Sequence, residues 1–167
     1  MTELLRSGRL HDLFERQAEL HPENIALICA GERMTYAEVE QRANQIARHL
    51  RGRGVKRGDC VALLLPRSPE VCIALLGILK AGAAYVPLDP GFPAERVGFV
   101  LADCKARALV TTGSLAAKAA NFRGEIISLD EQEIEINSRP VTRLGSAETG
   151  TTPEDLCYII YTSGSTG

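Results

Sequence analysis

The sequence closes on Thr162-Ser163-Gly164-Ser165-Thr166-Gly167, a run of small residues in which four carry hydroxyls and two are glycine. Small side chains let backbone N–H groups approach an anion closely, and hydroxyls add further donors. This is the equipment of a phosphate-cradling loop. The run is not a Walker loop, because no Gly-Lys-Ser/Thr accompanies it. No cationic side chain stands near it in the sequence to balance a polyphosphate, so it reads as half of a site. By composition alone a Ser/Gly-rich tail has the same residues, and both readings stand at this point.

Other residues with reactive chemistry are better placed for structural work. In Leu79-Lys80-Ala81-Gly82-Ala83-Ala84-Tyr85-Val86-Pro87-Leu88-Asp89-Pro90, Lys80 falls at a helix C-terminus, where it complements the helix dipole. Tyr85 and Asp89 are expected to pack and to cap a turn rather than to face a ligand. The three histidines, His11, His21 and His49, have no metal-ligand spacing. The five cysteines, Cys29, Cys60, Cys72, Cys104 and Cys157, form no C-x-x-C pair. They are expected to be buried small hydrophobes, reduced in a cytoplasmic setting, rather than a disulfide or zinc framework. Arg42, Arg48, Arg51, Arg53, Lys56 and Arg57 follow one another with no acid between. They read as the solvated face and exit of a helix, with a phosphate or partner site as the lesser alternative.

Alternating elements must position these residues. A short amphipathic helix from Leu10 to His21 is stopped by Pro22. Ile25–Cys29 suits a buried strand, and Arg33–Tyr36 a returning one. Thr35 and Glu38 have capping-box spacing ahead of a helix striped by Val39, Ala43, Ile46, Ala47 and Leu50. Asp59–Leu65 is a continuous apolar strand. Ser68-Pro69-Glu70 opens a helix, Val71–Ala81, that is apolar nearly all round. Further strands are expected at Ala83–Leu88, Ala108–Thr111 and Glu125–Leu129, with helices after Pro93 and over Ser114–Ala120. Asp130–Asp155 reads as mostly irregular. The last strand, Leu156–Tyr161, is apolar on both faces and runs straight into the hydroxyl-glycine run. Strands without polar alternation, interleaved with helices, predict a layered α/β/α fold around a parallel sheet.

Composition excludes several classes. With 19 Lys+Arg against 21 Asp+Glu, the net charge is −2, which argues against a dedicated nucleic-acid or anionic-membrane binder. The longest apolar run, Val71–Leu79, is far short of the roughly 18 residues of a membrane helix. At 45% apolar and 167 residues, the chain can bury a sizeable core.

Three motifs in order make the chain resemble the N-terminal part of an adenylation domain of nonribosomal peptide synthetases, within the AMP-forming acyl-adenylate ligases. Met34-Thr35-Tyr36-Ala37-Glu38-Val39 resembles the family's first core motif. Leu79–Asp89 matches the second, followed by the Phe92-Pro93-Ala94-Glu95-Arg96-Val97 element. Leu156–Gly167 matches the third, the phosphate-binding loop, up to its middle. The resemblance implies residues 1–9 as a leader and 10–167 as the N-terminal part of a truncated adenylate-forming enzyme. It implies that Thr162, Ser163, Gly164, Ser165, Thr166 and Gly167 grip ATP phosphates. It also implies an amino-acid substrate, Mg2+ with the ATP, and transfer to the phosphopantetheine thiol of a peptidyl carrier domain, without nucleic-acid or membrane partners. The family's amino-acid pocket, adenine and ribose contacts and catalytic lysine lie beyond Gly167, so no residue of this chain is expected to be catalytic and the chain is expected to be inactive alone. Met1 lies close to the family-like start, which suggests a stand-alone or loading-module enzyme. The alternative from another class is a small α/β module that binds a nucleotide or partner without chemistry.

Overall fold

The computed structural model describes residues 8–162. Helix α1 (Leu10–Leu20) leads into an antiparallel ribbon of β1 (Ile25–Cys29) and β2 (Glu32–Thr35). Helix α2 (Tyr36–Gly52) follows, then β3 (Cys60–Leu63), α3 (Pro69–Lys80), β4 (Ala84–Pro87), α4 (Ala94–Asp103) and β5 (Ala108–Thr111). A short α5 (Gly113–Ala116) continues as a 3-10 turn (Ala117–Ala119). β6 (Glu125–Ser128) and two short helices, α6 (Glu133–Asn137) and α7 (Ser146–Thr149), complete the elements.

Strands β3 to β6 form one parallel sheet in the order β4-β3-β5-β6. Its two faces are covered separately, which is why its strands lack polar alternation. Val61, Leu63 and Leu65 join Val110 and Ile127 in a core beneath α2 and α3. Ala62, Leu64, Val86 and Leu109 join Val97, Val100 and Leu101 of α4 on the opposite side. The expected α/β/α layering is therefore present. Local signals hold as well. Thr35 Oγ1 accepts from the Glu38 amide at 3.2 Å, and Glu38 Oε2 accepts from the Thr35 amide at 2.7 Å, so both halves of the capping box form. Helices α2 and α3 pack closely because residue 77 is glycine. A Cβ there would lie 2.7 Å from Ile46 Cγ2 and 3.1 Å from the Ala43 carbonyl.

Several expectations are corrected by tertiary context. The ribbon strand Ile25–Cys29 is not a core strand; Ile25 and Ile28 are exposed, because the ribbon packs outside the main sheet. Cys72 is exposed on the outer side of α3, and the other four cysteines are half-buried; all five are free. His11 and His49, which sit in polar stretches of sequence, are both buried.

Residues 130–155 are mostly irregular, as expected, but their place was not. They hold α6 and α7 and are clamped to the basic end of α2. Arg48 donates to the carbonyls of Thr142 and Arg143, each at 2.8 Å, and Arg51 donates to that of Glu148 at 2.8 Å. Arg53 pairs with Glu135 at 2.8 Å, and Arg57 with Asp155 at 2.7 Å. The arginine block is thus a fastening for this stretch. Deeper in, Lys80 Nζ is buried between Glu15 and Glu40, bonded to Glu40 at 2.9 Å. Arg143 Nε reaches the same Glu40 oxygen at 2.6 Å, and its guanidinium also meets Glu15 and Glu19. Burial opposes ionisation of Glu40, but Lys80 and Arg143 outweigh it and hold the carboxyl below the usual range.

Candidate functional site

The segment leading to the hydroxyl-glycine run lies at the free edge of β4, in parallel with it. Tyr85 donates its amide to the Cys157 carbonyl and accepts from the Ile159 amide, both at 3.0 Å, around a single bridge between Tyr85 and Tyr158. The expected strand Leu156–Tyr161 is therefore an edge segment held by one bridge rather than a full ladder. Its side chains split by face. Ile159 and Tyr161 pack into the α4-side core, whereas Leu156, Tyr158 and Ile160 are 61%, 50% and 57% exposed. Only one of its two apolar faces is covered.

A parallel bridge at Tyr85 sets the direction of the segment, and Thr162, three residues past the last bond to β4, is exposed. Of the residues expected to grip phosphate, Thr162 is described, and Ser163, Gly164, Ser165, Thr166 and Gly167 lie outside the described residues. The carboxyl edge of a parallel sheet is where ligands of open α/β folds bind, because strand-to-helix loops gather there free of sheet hydrogen bonding.

The surroundings of this exit are structural. Asp89 Oδ1 accepts the Gly91 amide at 2.7 Å, a turn cap as expected. Lys118 reaches the carbonyls of Pro90 and Phe92, the latter at 2.8 Å, and pins the loop after β4. Tyr85 stacks obliquely on Tyr158, with ring centroids 5.7 Å apart. Lys80 is taken up by its two carboxylates and does not face the exit.

One residue bound by this segment had no forecast role. Asp103, the last residue of α4, accepts the Tyr161 hydroxyl at 2.5 Å. A signal for it exists in the sequence: an acid in the last turn of a helix opposes the helix dipole and needs a reason from elsewhere.

A cleft of about 760 Å³ lies between α4 and the 3-10 turn, lined by Gly98, Phe99, Ala102, Lys105 and Phe122 among others. Thr162 does not line it. Among the described residues no three His, Cys, Asp or Glu side chains converge as metal ligands, and no helix is long and apolar enough to cross a membrane.

Comparison with known proteins places this geometry. Bacitracin synthase 1 of Bacillus licheniformis is 41% identical over 167 residues, 99% of this chain and 3% of that protein. Tyrocidine synthase 2 of Brevibacillus parabrevis is 41% identical over 163 residues, 96% of this chain and 4% of that protein. The chain thus spans only a few hundredths of the curated relatives it matches. Among solved structures, the nonribosomal peptide synthetase FmoA3 with bound α-methyl-L-serine-AMP superposes with a TM-score of 0.84 at 30% identity, over 93% of this chain and 17% of that one. The N-terminal subdomain of Klebsiella oxytoca NpsA superposes with a TM-score of 0.80 at 28% identity, over 95% and 40%. The architecture is that of the N-terminal portion of adenylate-forming enzymes. The family model described as AMP-binding enzyme matches residues 14–167, and the chain belongs to that family.

Proposed function

We propose that residues 10–167 are the N-terminal part of an amino-acid-activating adenylation domain, preceded by a leader of residues 1–9. The whole domain would join an amino acid and ATP to aminoacyl-AMP and pyrophosphate, and pass the acyl group to the phosphopantetheine thiol of a peptidyl carrier domain. The carboxylate attacks the α-phosphorus, and the bond to the leaving pyrophosphate breaks. The task is electrostatic: donors must be in place where charge collects on the departing phosphates. Thr162, Ser163, Gly164, Ser165, Thr166 and Gly167 would supply hydroxyl and amide donors there, with Mg2+ carried in on the ATP. The cytoplasm, where ATP and reduced thiols are plentiful, is the setting this reading fits.

The observation that carries it is the edge segment that runs parallel to β4 and ends at the exposed Thr162, immediately before an uncharged hydroxyl-glycine run. A fatty acyl CoA synthetase of Mycobacterium tuberculosis superposes nearly as well, with a TM-score of 0.82. The fold therefore does not choose between amino and fatty acids. The choice of an amino acid leans on the bacitracin and tyrocidine synthases, both at 41% identity.

The test is ATP–pyrophosphate exchange. The whole protein carrying this chain should exchange with one or a few amino acids and not with fatty acids. The chain alone should stay at background with every proteinogenic amino acid, since it spans 17% of the FmoA3 chain. Exchange by the chain alone would refute its dependence on further residues. No exchange by the whole protein with any amino acid would refute the assignment and favour a binding module.

A further inference from the structure

We infer that the cleft between α4 and the 3-10 turn is a binding site for a small organic anion, a carboxylate on an apolar body, which lies between the two elements and is met at one end by Lys105 and Arg123. The site is separate from the edge segment and from Thr162, and it does not depend on the proposed adenylation.

Four observations converge. The first is a glycine without a packing reason. Gly98 lies inside α4, where glycine costs helix stability relative to alanine. Gly77 is explained by the close approach of Ile46, but at Gly98 a Cβ would meet nothing within 4 Å. The space it leaves open belongs to the cleft, whose volume of about 760 Å³ is that of a small-molecule site. The second is the lining. Gly98, Phe99 and Ala102 of α4 stand across from Ala117, Ala120 and Phe122, and Phe99 is 54% exposed. Small residues on both walls leave width for a body between them, and the two rings supply apolar contact.

The third is a pair of cations at one end. β5 and β6 run in parallel with Ala108 opposite Glu125, and the Glu125 amide donates to the Arg107 carbonyl at 3.1 Å. The segments entering these two strands therefore bring Lys105 and Arg123 to the same end of the cleft, where both are exposed. Among the described residues neither makes an ion pair. Lys118, also on the lining, is taken up by the carbonyls of Pro90 and Phe92. Glu95, in the first turn of α4, sits about 15 Å along the helix from Lys105. Asp103 does not line the cleft, and its carboxylate accepts the Tyr161 hydroxyl. The cleft is thus apolar along its length and positive at one end, which an amphiphilic anion complements. The fourth is the backbone of Lys105. Its amide donates to the Ala102 carbonyl at 3.1 Å and that of Ala106 to Leu101 at 3.0 Å, a Schellman close to α4 that puts Lys105 at a φ of 50°, where glycine is preferred. Strain of this kind gathers at ligand-binding positions.

The experiment uses the whole protein carrying this chain, as wild type, as Gly98→Leu and as the double variant Lys105→Ala/Arg123→Ala. The probes are 1-naphthoate, decanoate and the uncharged 1-naphthalenemethanol. Gly98→Leu puts a side chain into the open space and replaces a poor helix former by a good one, so its unfolding midpoint should hold or rise. Isothermal titration reads the affinity, and hydrogen exchange of peptides covering residues 94–106 and 116–124 reads the place. At least one of the two carboxylates should bind and slow exchange in both peptides, and the stronger of the two tells an aryl from an acyl occupant. Gly98→Leu should weaken that binding about tenfold or more. The double variant should weaken it about tenfold, the scale of two exposed charge pairs, and leave the affinity for 1-naphthalenemethanol unchanged.

If neither carboxylate slows exchange in those peptides, the inference is overturned. It is overturned equally if Gly98→Leu, with its midpoint intact, binds them as the wild type does. An alcohol that binds as tightly as 1-naphthoate, or a double variant with wild-type affinity for the carboxylates, overturns the assignment of an anion. Should Gly98→Leu lower the midpoint, the double variant and the exchange of the two peptides decide by the same criteria.

Discussion

Residues 130–155 are polar and aperiodic, yet they lie clamped to α2 and the turn after it by four arginines and a buried carboxylate. Residues 156–161 are apolar nearly throughout, yet Leu156, Tyr158 and Ile160 face outward and one bridge holds their backbone. Composition alone would have ordered the two the other way. The difference is one of partners. A polar stretch is ordered when its carbonyls and acids meet donors that other elements already hold in place, here the arginine row at the end of α2. An apolar stretch is ordered only on the face where something covers it, here the α4-side core. The order in the first stretch comes chiefly from the buried part of its network. Exposed ion pairs contribute about 0–1 kcal/mol each, whereas a buried charge deprived of its partner costs several.

That contrast breaks most sharply at Glu40, where Lys80 and Arg143 meet. Glu40→Ala leaves Lys80 buried with Glu15 alone and takes from Arg143 one of its three carboxylate partners, and is expected to cost about 3–5 kcal/mol. The denaturant midpoint measures it, and residues 138–145 should become the first protease cuts. A loss under about 1 kcal/mol would mean that backbone bonds to Arg48 and Arg51 hold the stretch without the buried charges.

A second expectation sharpens the contrast with pH. His11 lies on α1 beside Arg9, Asp12, Lys80 and Glu40. Burial, followed by Arg9, lowers it to about 4. Its folded value lies below its unfolded value of about 6.5, so the unfolded state binds the extra proton between the two. Stability should be whole above pH 6.5, fall as the pH drops toward 4, and level off below, for a loss of roughly 3 kcal/mol from this group. Asp12 and Glu40, both held below their ordinary values, add to the loss at the acid end. His11→Asn should flatten the slope between pH 6.5 and 4. A slope of equal size in that variant would assign the acid sensitivity to another group.

The smallest effect on stability is expected at the open stripe. Replacing Leu156, Tyr158 and Ile160 by Ser, Thr and Thr should shift the unfolding free energy by no more than about 0.5 kcal/mol per site, because these side chains are exposed. It should nonetheless change association, since an apolar edge with free backbone groups invites pairing between chains. The purified chain is expected to self-associate in sedimentation velocity, and the triple variant to run as a monomer. A wild-type monomer with one sharp transition above about 55 °C would show that the open stripe is no liability.

Much of this was legible in the residues. The apolar strands without alternation foretold a parallel sheet covered on both sides, and Val61 to Leu65 deliver successive side chains to opposite cores. Thr35 and Glu38 foretold their capping box, and Asp89 its turn, because these contacts close within a few residues. The three motifs named the family that the comparison then assigned. What short-range pattern does not carry is which distant groups meet. Lys80 reads as a helix-end cation, and only the packing of α1, α2 and α3 turns it into a buried partner of Glu15 and Glu40. The arginine row reads as a solvated face, and only the return of residues 130–155 gives it carbonyls and acids to hold. Asp103 and Tyr161 stand 58 residues apart with no local reason to pair. Local structure follows from backbone preference and from spacing along one element, and these are written in neighbouring residues. Burial, ion pairing and the cover of an apolar face depend on which elements the fold stacks together, and that choice is made only when the whole sheet and its helices assemble.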